Sequence, residues 1–473
     1  MSSPLPLCVD LDGTLLRSDL LYESLFALLR RNPFYLLLLP LWLLRGKAHL
    51  KRQIARRVRL DPALLPWHTP LLERLQQERA AGRRLILATA SDQLLVTPIA
   101  THLALFDEVI ASDGERNLSG AEKGRLLVER FGERGFIYAG NAPVDLAVWS
   151  HAASAWVVSP SPALQRAAAR VAPTVEPLAP ASGHWLLPLL RALRPHQWLK
   201  NLLLLVPLLA SHSFSGEALG YALLAIVAFS LCASSVYLLN DLLDLEADRQ
   251  HPTKVNRPFA SGALPLQAGL LAAPLLLLVA LLVALLLPLS FLAILASYYL
   301  LTLAYSFYLK RVELIDVLLL ATLYTVRILA GAAAIAVTVS FWLLALSMFL
   351  FLSLALVKRY SELLTLRSRG EESAAGRGYR AVDLESLAQM GAASGYLAVL
   401  VLALYINSEE IRLLYQHPAV VWLLCPLLLY LISRVWLLAR RDELHEDPLV
   451  FVARDRHSLA VAALGGVLFW LAI

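Results

Sequence analysis

The sequence predicts two classes of fold in one chain, an α/β domain followed by an all-α domain that crosses a membrane several times. Apolar residues make up 58% of the 473 residues, too high a fraction for a soluble chain of this length. Their distribution is uneven. Residues 1–185 mix charges with short strand-like runs, whereas residues 199–473 contain long apolar stretches separated by charged loops.

The cysteines and the amino terminus favour a cytoplasmic first domain. Cys8, Cys232 and Cys425 are far apart, so neither a disulfide framework nor a zinc pattern is indicated. The first residues lack the basic segment and the long apolar core of a signal peptide. The net charge of +6 is explained by basic membrane loops and one basic stretch. We therefore expect no nucleic-acid partner.

Three apolar, strand-like runs in the first domain end in polar side chains. The runs and the polar residues at their ends are 7–14 with Asp10 and Asp12, 84–91 with Thr89, and 135–145 with Asn141 and Asp145. Lys123 opens a predicted helix between the second and third runs. The carboxyl ends of parallel strands meet at the edge of a sheet where α/β proteins bind ligands. A binding site is therefore predicted there.

This order of acids, hydroxyl, lysine and acid resembles the haloacid dehalogenase-like phosphatase superfamily over roughly residues 5–175. The resemblance implies a Rossmann-like fold in which Asp10 is the phosphorylated nucleophile and Asp12 the acid/base. It also implies that Thr89 binds the phosphoryl group and that Lys123 offsets its charge. The metal ligands implied for Mg²⁺ are Asp10, Asp12, Asn141 and Asp145. A carboxylate nucleophile divides hydrolysis into two steps, and metal and lysine stabilise the anionic transition state.

One position departs from the pattern of that superfamily. Asn141 stands where an acidic residue usually follows the strand glycine. An amide ligates Mg²⁺ more weakly than a carboxylate does. A second interpretation therefore stays open, in which the domain is a regulatory or docking module without phosphatase activity.

The predicted domain boundaries follow from the composition. We expect a phosphatase-like domain over residues 1–180, with a helical cap at about 17–80, then a linker over 181–193 and a transferase domain over 194–473. Within the cap, residues 34–44 are apolar but too short to span a bilayer, and a basic stretch follows them. Either an interfacial segment on anionic headgroups or a buried hairpin with a solvated basic face fits this pattern.

Apolar runs long enough to cross a bilayer, about 17–25 residues each, predict nine transmembrane helices. The runs begin near Leu199, Leu219, Leu266, Leu289, Leu314, Phe341, Leu387, Val420 and Leu459. With the amino terminus inside, most Lys and Arg residues of the membrane half fall in the cytoplasmic loops 240–263, 309–313, 358–386 and 438–457. The opposite loops contain only Arg412. We expect a multi-pass protein of a bacterial-type inner membrane with its active sites facing the cytoplasm.

Asn240, Asp241, Asp244 and Asp248 directly follow the apolar run 220–239. On a helix the three aspartates would share one face, at the point where the chain leaves the membrane. Ionised carboxylates beside a bilayer are costly and indicate function. Carboxylates on one face can hold Mg²⁺, the usual partner of a diphosphate. The motif therefore predicts chemistry on a phosphorylated substrate at the membrane surface.

A second polar site is predicted after the fourth span. Asp316 begins an otherwise apolar run, and Arg327 lies about three helical turns later on roughly the same face. Both side chains would be costly in lipid and should face a cavity. Basic residues around both polar sites, including Lys254 and Arg257 in the loop after the first acidic motif, are candidate phosphate ligands. Lys200 alone fits a membrane anchor, and Lys358 with Arg359 fits a positive-inside flank. The candidate cations are Lys200, Lys254, Arg257, Lys310, Lys358 and Arg359.

Residues 190–473 resemble the UbiA superfamily of intramembrane transferases, whose members have nine helices and two aspartate-bearing loops around a cytoplasm-facing cavity. Four runs resemble its decaprenyl-phosphate phosphoribosyltransferase branch more than the aromatic prenyltransferases. These runs are 194–201, 305–310, 358–363 and 447–456. The single Asp316, where aromatic prenyltransferases usually have paired aspartates, agrees with that branch.

The resemblance implies transfer of 5-phosphoribosyl from phosphoribosyl diphosphate to a polyprenyl phosphate, with release of diphosphate. Asn240, Asp241, Asp244 and Asp248 would hold Mg²⁺ on the leaving group, assisted by Asp316. The implied ligands of the diphosphate and the 5-phosphate are Lys254, Arg257, Lys310 and Lys358. Arg327 or Lys200 would bind the lipid phosphate, and Tyr305 and Arg359 are further candidate substrate contacts.

The fusion suggests a second step, because phosphoribosyl transfer leaves a 5-phosphate that a phosphatase domain would remove. Two alternatives stay open. One is an aromatic prenyltransferase that uses a polyprenyl diphosphate, and the other is a non-catalytic lipid-binding scaffold with an inactive phosphatase. The sequence determines neither the polyprenyl length nor the oligomeric state, and a homo-oligomer stays open.

Overall fold

The computed structural model of the chain describes residues 4–178, 185–212, 214–368, 370, 378–408, 415–444 and 447–472. The chain divides into two compact units, one of residues 1–193 with 237–273 and the other of residues 194–236 with 274–473. In the expected linker 181–193, residues 181–184 lie outside the described residues, and Leu186–Leu193 is helical. Arg369, Arg377 and Arg412, which count toward the predicted charge bias of the loops, also lie outside them.

The first unit contains a six-stranded, all-parallel sheet in the order β3-β2-β1-β4-β5-β6. The strands are β1 Leu7–Val9, β2 Leu85–Asp92, β3 Glu108–Ser112, β4 Ile137–Gly140, β5 Ser154–Val157 and β6 Val175–Pro177. Each predicted run contains one of these strands. The prediction of an α/β domain with a parallel sheet is therefore confirmed.

Helices cover both faces of this sheet, and alternate residues of its strands supply two apolar cores. Leu7 and Val9 pack into one core, whereas Cys8 between them packs into the other. Successive side chains of a strand point to opposite faces, so a strand covered on both faces is apolar throughout. This continuous burial determines the positions of the strand ends and of the polar residues that follow them.

The insertion between β1 and β2 is helical, as expected for residues 17–80. Its helices are α1 Leu20–Arg31, α2 Leu39–Leu44, α3 Lys47–Ala55 and α4 Thr69–Ala80, with 3-10 helices at Pro33–Leu37 and Pro62–Leu64. The later helices of this unit include α5 Gln93–Leu103, α6 Ala121–Phe131, α7 Leu146–Trp149, α8 Pro162–Val171 and α9 Leu186–Leu193. The Asp19 side chain accepts a hydrogen bond from Leu21 N at 2.9 Å and caps α1.

Among the described residues, seven helices are long and apolar enough to cross a membrane. They are Gly216–Leu243, Leu266–Ala284, Leu289–Phe307, Ile315–Ala334, Phe341–Ser368, Ala381–Ile406 and Pro418–Arg440. They match seven of the nine predicted runs. The chain is therefore a multi-pass membrane protein by the length and composition of its helices.

The first and last predicted spans differ from the other seven. The first forms a 3-10 helix, Pro195–Leu205, and a short α-helix, Val206–Ala210. Pro207 lacks the N–H that a continuous α-helix would need at that point. The last is the apolar helix Arg456–Ala472, whose 17 residues make it shorter than the others.

A close helix approach organises the second unit. A Cβ atom at Gly331 would lie only 2.1 Å from the backbone oxygen of Leu204. Glycine therefore allows the span Ile315–Ala334 to contact the 3-10 helix Pro195–Leu205, as small residues do between membrane helices. This contact places Asn201 beside Arg327, which are hydrogen-bonded at 3.0 Å.

Candidate active sites

The ends of the first unit's strands bring a nucleophile-like carboxylate and a lysine together. Asp10 follows β1, and Lys123 lies in the first turn of α6. Lys123 Nζ donates to Asp10 Oδ1 at 2.7 Å and to the Tyr138 hydroxyl at 2.7 Å. All three side chains are buried. The ammonium group thus lies where negative charge would develop if Asp10 attacked a phosphoryl group.

Asp12 is held between the end of β2 and the start of α1. Its Oδ1 accepts from Leu20 N at 2.7 Å, and its Oδ2 accepts from the Ser91 hydroxyl at 2.7 Å and the Thr89 hydroxyl at 3.3 Å. Burial, together with the nearby Asp19 and Asp10 carboxylates, raises the pKa of Asp12 to about 7. A carboxyl group with a pKa near neutrality is suited to both donating and accepting a proton.

Asp145 and Asn141 close the other side of this site. Asp145 Oδ1 accepts from the Tyr138 hydroxyl at 3.1 Å, and Oδ2 accepts from Asn141 N at 3.0 Å. Burial, together with the charge of Asp10, raises the pKa of Asp145 to about 6. Asn141 Oδ1 accepts from the Thr14 hydroxyl at 3.1 Å. Gly13 is required here, because it has a φ of +72° and its Cβ would lie 2.3 Å from Asn141 Nδ2.

The cap contributes a lysine to the same edge of the sheet. Lys51 of α3 donates from Nζ to Ala90 O at 2.6 Å and to Asn117 Oδ1 at 2.9 Å. Burial lowers the pKa of Lys51, although the carboxylates of Asp12 and Asp19 oppose this effect. In the sequence, Lys51 belongs to the basic stretch that follows residues 34–44. The structure places it at the phosphatase-like site.

The acidic motif is interrupted at Asp244 and is not one continuous helix. The span Gly216–Leu243 ends just before Asp244, and a second helix, Leu245–Gln250, carries Asp248. The backbone still bonds across the break, with Asp244 N donating to Asn240 O at 2.9 Å and Asp248 N donating to Asp244 O at 2.8 Å. Aspartate favours helix caps over helix interiors, which explains a break at Asp244.

Despite this break, Arg257 draws two of the aspartates together. Its Nη1 lies 2.7 Å from Asp248 Oδ2 and 3.1 Å from Asp241 Oδ1, and both carboxylates are almost fully buried. The buried Oδ1 of the adjacent Asn240 accepts no hydrogen bond within the described residues. Arg257, predicted to bind phosphate, therefore occupies the position of a cation between two acids. Lys254 lies on the neighbouring 3-10 helix Lys254–Asn256.

The cap also contacts this acidic motif, within the same compact unit. Arg249 donates from Nη2 to Glu23 Oε1 at 2.6 Å and from Nη1 to Glu23 Oε2 at 3.0 Å. Its Nε donates to Ala260 O at 2.9 Å, which closes the loop that follows the motif. A weaker contact of 3.9 Å joins Arg30 of α1 to Asp244. The sequence analysis missed this connection.

In the second unit, Asp316 is already paired. Its carboxylate accepts from Arg359 Nη2 at 2.9 Å and from the Tyr305 hydroxyl at 2.8 Å. Asp316 and Arg359 are both buried. The predicted residues Tyr305, Asp316 and Arg359 are thus brought together, but as a hydrogen-bonded ion pair. Lys310 lies on the 3-10 helix Leu309–Arg311.

Arg327 is buried in a second polar cluster of this unit. Arg327 donates to Asn201 Oδ1 at 3.0 Å and to the Tyr298 hydroxyl at 2.9 Å. Its guanidinium group also lies 5.0 Å from the centre of the Tyr298 ring. Only 4% of Arg327 is exposed. This arginine therefore joins the spans to the first helical segment.

Lys200 and Lys358 converge on one anion, the carboxylate of Asp447. Their Nζ atoms lie 2.7 Å and 3.2 Å from Asp447 Oδ2, and the Tyr324 hydroxyl donates to Oδ1 at 3.1 Å. Burial alone would raise the pKa of Asp447, but Lys358 and Lys200 outweigh it and hold the pKa well below its usual range. Two predicted phosphate ligands thus form an anion site, and Asp447 is a functional candidate that the sequence analysis did not assign.

Comparison with known proteins agrees with this geometry. The family model of the UbiA prenyltransferase family matches residues 202–460, which is more than half of the chain. The chain belongs to this family. The model of haloacid dehalogenase-like hydrolases matches residues 7–149. This UbiA prenyltransferase-like enzyme therefore carries a haloacid dehalogenase-like domain at its amino terminus, as the resemblances implied.

Three relatives show how far the similarity extends. The uncharacterized protein y4nM of Sinorhizobium fredii is 38% identical over 99% of this chain and 91% of its own length. The nodulation protein NoeC of Azorhizobium caulinodans is 37% identical over 58% of this chain and 89% of its own length. The decaprenyl-phosphate phosphoribosyltransferase of Mycolicibacterium smegmatis is 39% identical over 37% of this chain and 57% of its own length.

At both sites, the protein side chains would bind Mg²⁺ only together with ligands from the substrate. No group of three Asp, Glu, His or Cys side chains is arranged to hold a metal ion by itself in the described part of this UbiA family member. Mg²⁺ is commonly held by one or two carboxylates together with substrate phosphates. The buried, unpartnered Asn240 oxygen beside Asp241 fits such an arrangement. At the other site, Asp10 and Asn141 provide hard oxygen donors.

Proposed function

We propose that the UbiA half transfers 5-phosphoribosyl from phosphoribosyl diphosphate to a polyprenyl phosphate. The observation that carries the proposal is the acid cluster, in which the buried Asp241 and Asp248 share one cation, Arg257, beside the unpartnered oxygen of Asn240. Such a cluster fits the metal–diphosphate part of a donor. The similarity to the Mycolicibacterium smegmatis phosphoribosyltransferase supports the choice of this donor over others.

The transfer exchanges one bond at the sugar for another. A phosphate oxygen of the lipid forms a bond to C1 of the ribose as the C1–O bond to diphosphate breaks, and diphosphate leaves with the electron pair. Mg²⁺ held by Asn240, Asp241, Asp244 and Asp248 would supply charge neutralisation to this leaving group. Arg257 is suited to moving from the carboxylates to the diphosphate, because a guanidinium group binds either anion.

The acceptor phosphate requires a cationic site but no base. It is already ionised, so no proton must be removed before it attacks. Lys200 and Lys358 lie around one carboxylate of Asp447 and offer ammonium groups at 2.7 Å and 3.2 Å from it. We assign the lipid phosphate to these lysines. Arg327, which the sequence analysis also considered, is engaged by Asn201 and Tyr298.

The haloacid dehalogenase-like half would then remove the 5-phosphate. Asp10 attacks the phosphorus, the ribose 5-oxygen leaves, and Asp12 donates a proton to it. Water then attacks the phosphorus of the aspartyl phosphate as its bond to the Asp10 oxygen breaks, and Asp12 takes up the proton from that water. Inorganic phosphate leaves and the Asp10 carboxylate is regenerated. The pKa of Asp12, raised to about 7 by burial, suits both proton transfers. Mg²⁺ near Asp10, Asn141 and Asp145 would offset the charge of the phosphoryl group.

The proposed organisation follows the sequence. Residues 1–180 form the phosphatase and residues 194–473 the transferase, with nine membrane helices when Pro195–Ala210 and Arg456–Ala472 are added to the seven long ones. We place both sites on the cytoplasmic side of a bacterial-type inner membrane, where phosphoribosyl diphosphate is available. A tethered second site receives the lipid product at high effective concentration.

An assay with two donors tests the transferase proposal. Full-length protein in nanodiscs is given Mg²⁺, a polyprenyl phosphate and phosphoribosyl diphosphate, or else 4-hydroxybenzoate and a polyprenyl diphosphate. Mass spectrometry of the lipids should show a ribosylated lipid phosphate in the first mixture and no prenylated benzoate in the second. Prenylated benzoate alone would replace the proposal with aromatic prenylation, and no product in either mixture would favour a lipid-binding scaffold.

A further inference from the structure

Residues 33–44 of the cap form an apolar segment that is not buried anywhere along its length. The segment comprises the 3-10 helix Pro33–Leu37 and the helix α2, and neither contains a buried residue. Phe34 is 69% exposed, Leu37 72% and Leu44 84%. Of the two interpretations that the sequence left open, the buried hairpin is therefore excluded.

The segment is nevertheless held in a fixed position by its other face. Tyr35 and Trp42 pack toward Leu28 and Ile54 of the cap, with their ring centres 6.0 Å apart. The guanidinium group of Arg57 lies 4.8 Å from the centre of the Trp42 ring. Because these contacts fix one face of the segment, the apolar side chains of its other face point outward in a defined position.

The charged residues near this segment in the sequence are all basic. Residues 24–60 contain no Asp or Glu, and their basic residues are Arg30, Arg31, Arg45, Lys47, Lys51, Arg52, Arg56, Arg57 and Arg59. Lys51 and Arg52 are used within the domain, in contacts with Ala90 and Asp92. Arg45, Lys47, Arg56 and Arg59 are exposed and form no ion pair with another described residue. Exposed cations therefore flank the outward apolar side chains.

We propose that residues 33–44, together with Arg45, Lys47, Arg56 and Arg59, bind the surface of an anionic lipid bilayer. Short apolar segments beside basic side chains lie in the boundary between headgroups and acyl chains. Basic residues near an anionic surface are attracted to it electrostatically. A soluble protein rarely exposes a contiguous apolar patch of this kind to water.

A lipid bilayer is also the partner that is always close to this segment. The spans of the same chain hold this domain at a bilayer, so lipid is present at high effective concentration without a second binding event. Binding would hold the cap against the headgroup layer. The inference does not depend on which phosphorylated lipid the enzyme uses.

Fluorescence quenching tests the proposal on the full chain. The three natural cysteines are buried, so a single exposed cysteine can be labelled selectively with an environment-sensitive dye. Leu37→Cys carries the dye in the segment, and Glu129→Cys carries it on the exposed surface of α6 as a matched control. Both proteins are placed in vesicles of phosphatidylcholine and phosphatidylglycerol, with and without a nitroxide lipid.

The expected result is several-fold stronger quenching and blue-shifted emission at position 37 compared with position 129. Replacing Arg45, Lys47, Arg56 and Arg59 by Gln should weaken the quenching at position 37 in anionic vesicles and leave that in neutral vesicles unchanged. Equal quenching at the two positions would overturn the proposal. Dye self-quenching that grows with the protein-to-lipid ratio, without nitroxide quenching, would overturn it in favour of a second copy of the chain.

Discussion

Glu23 and Arg249 form a buried, bidentate ion pair between the first cap helix and the helix that carries Asp248. The two contacts measure 2.6 Å and 3.0 Å, and at most 6% of either side chain is exposed. The pair is one of the contacts between the cap and residues 237–273, a segment predicted to belong to the transferase domain that packs with the first unit. A residue of the cap thereby helps to position the acidic motif.

Breaking this pair on one side should be costly. Glu23→Gln would leave the buried Arg249 charge without its counterion, which typically costs about 3–5 kcal/mol. The double variant Glu23→Gln with Arg249→Gln should recover part of this loss. Urea unfolding of the full chain in detergent, followed by circular dichroism, measures the change in free energy of unfolding.

The exposed pair Arg74–Glu176, at 3.6 Å, provides a control. Glu176→Gln should cost about 1 kcal/mol or less, as exposed pairs do. If Glu23→Gln were no more destabilising than Glu176→Gln, the buried pair would not hold the cap to the acidic motif.

Asp248 should be essential for transfer, whereas its neighbour Glu246 should not. Both lie on the helix Leu245–Gln250, but Asp248 is buried against Arg257 and Glu246 is exposed. Asp248→Asn should lower kcat by about 10²–10³-fold, the usual effect of removing one electrostatic contact to the transition state. Release of diphosphate measures the rate. A full rate in Asp248→Asn, or an equal loss in Glu246→Gln, would contradict the assignment.

Lys123 should matter for removal of the 5-phosphate and not for transfer. Lys123→Met removes the ammonium group that lies 2.7 Å from Asp10, so phosphate release should fall by about 10²-fold or more. Formation of the ribosylated lipid should be unchanged. Arg125→Gln, on the exposed side of the same helix, is the control and should leave both steps intact. Normal phosphate release from Lys123→Met would argue for a docking domain.

Lys200 should contribute to the affinity for the lipid acceptor. Lys200→Gln removes one of two ammonium groups around Asp447, so the KM for the polyprenyl phosphate should rise by about 10-fold, the effect of one charged hydrogen bond. The KM for phosphoribosyl diphosphate should change little. Steady-state kinetics with each substrate varied in turn measure both. If only the KM for phosphoribosyl diphosphate rose, Lys200 would instead be assigned to the diphosphate site.

The local parts of both sites follow from the sequence, because strand ends and motif spacing determine them. The run before Asp10 is apolar and ends in acids, so the strand and its catalytic edge could be predicted together. The acidic motif around Asp241 could be recognised in the same way. In each case a few neighbouring residues carry the information.

The contacts that could not be predicted from the sequence join residues that are far apart in the chain. Ser91 bonds Asp12 across 79 residues, Arg249 bonds Glu23 across 226, and Lys200 bonds Asp447 across 247. Tertiary packing creates these contacts, and no local pattern in the sequence marks them. The break at Asp244 and the 3-10 form of the first segment likewise reflect local hydrogen bonding that apolar length does not encode.

The mass of the lipid product tests the central claim most directly. The unmodified protein and the Asp10→Asn variant are each incubated with Mg²⁺, phosphoribosyl diphosphate and a polyprenyl phosphate. The masses of the lipid products are then measured by mass spectrometry. The account predicts a ribosylated lipid phosphate from the intact protein, and the same lipid heavier by one phosphoryl group from Asp10→Asn. A lipid that retains the 5-phosphate with both proteins would contradict the tandem reaction, and the absence of any ribosylated lipid would contradict the transfer itself.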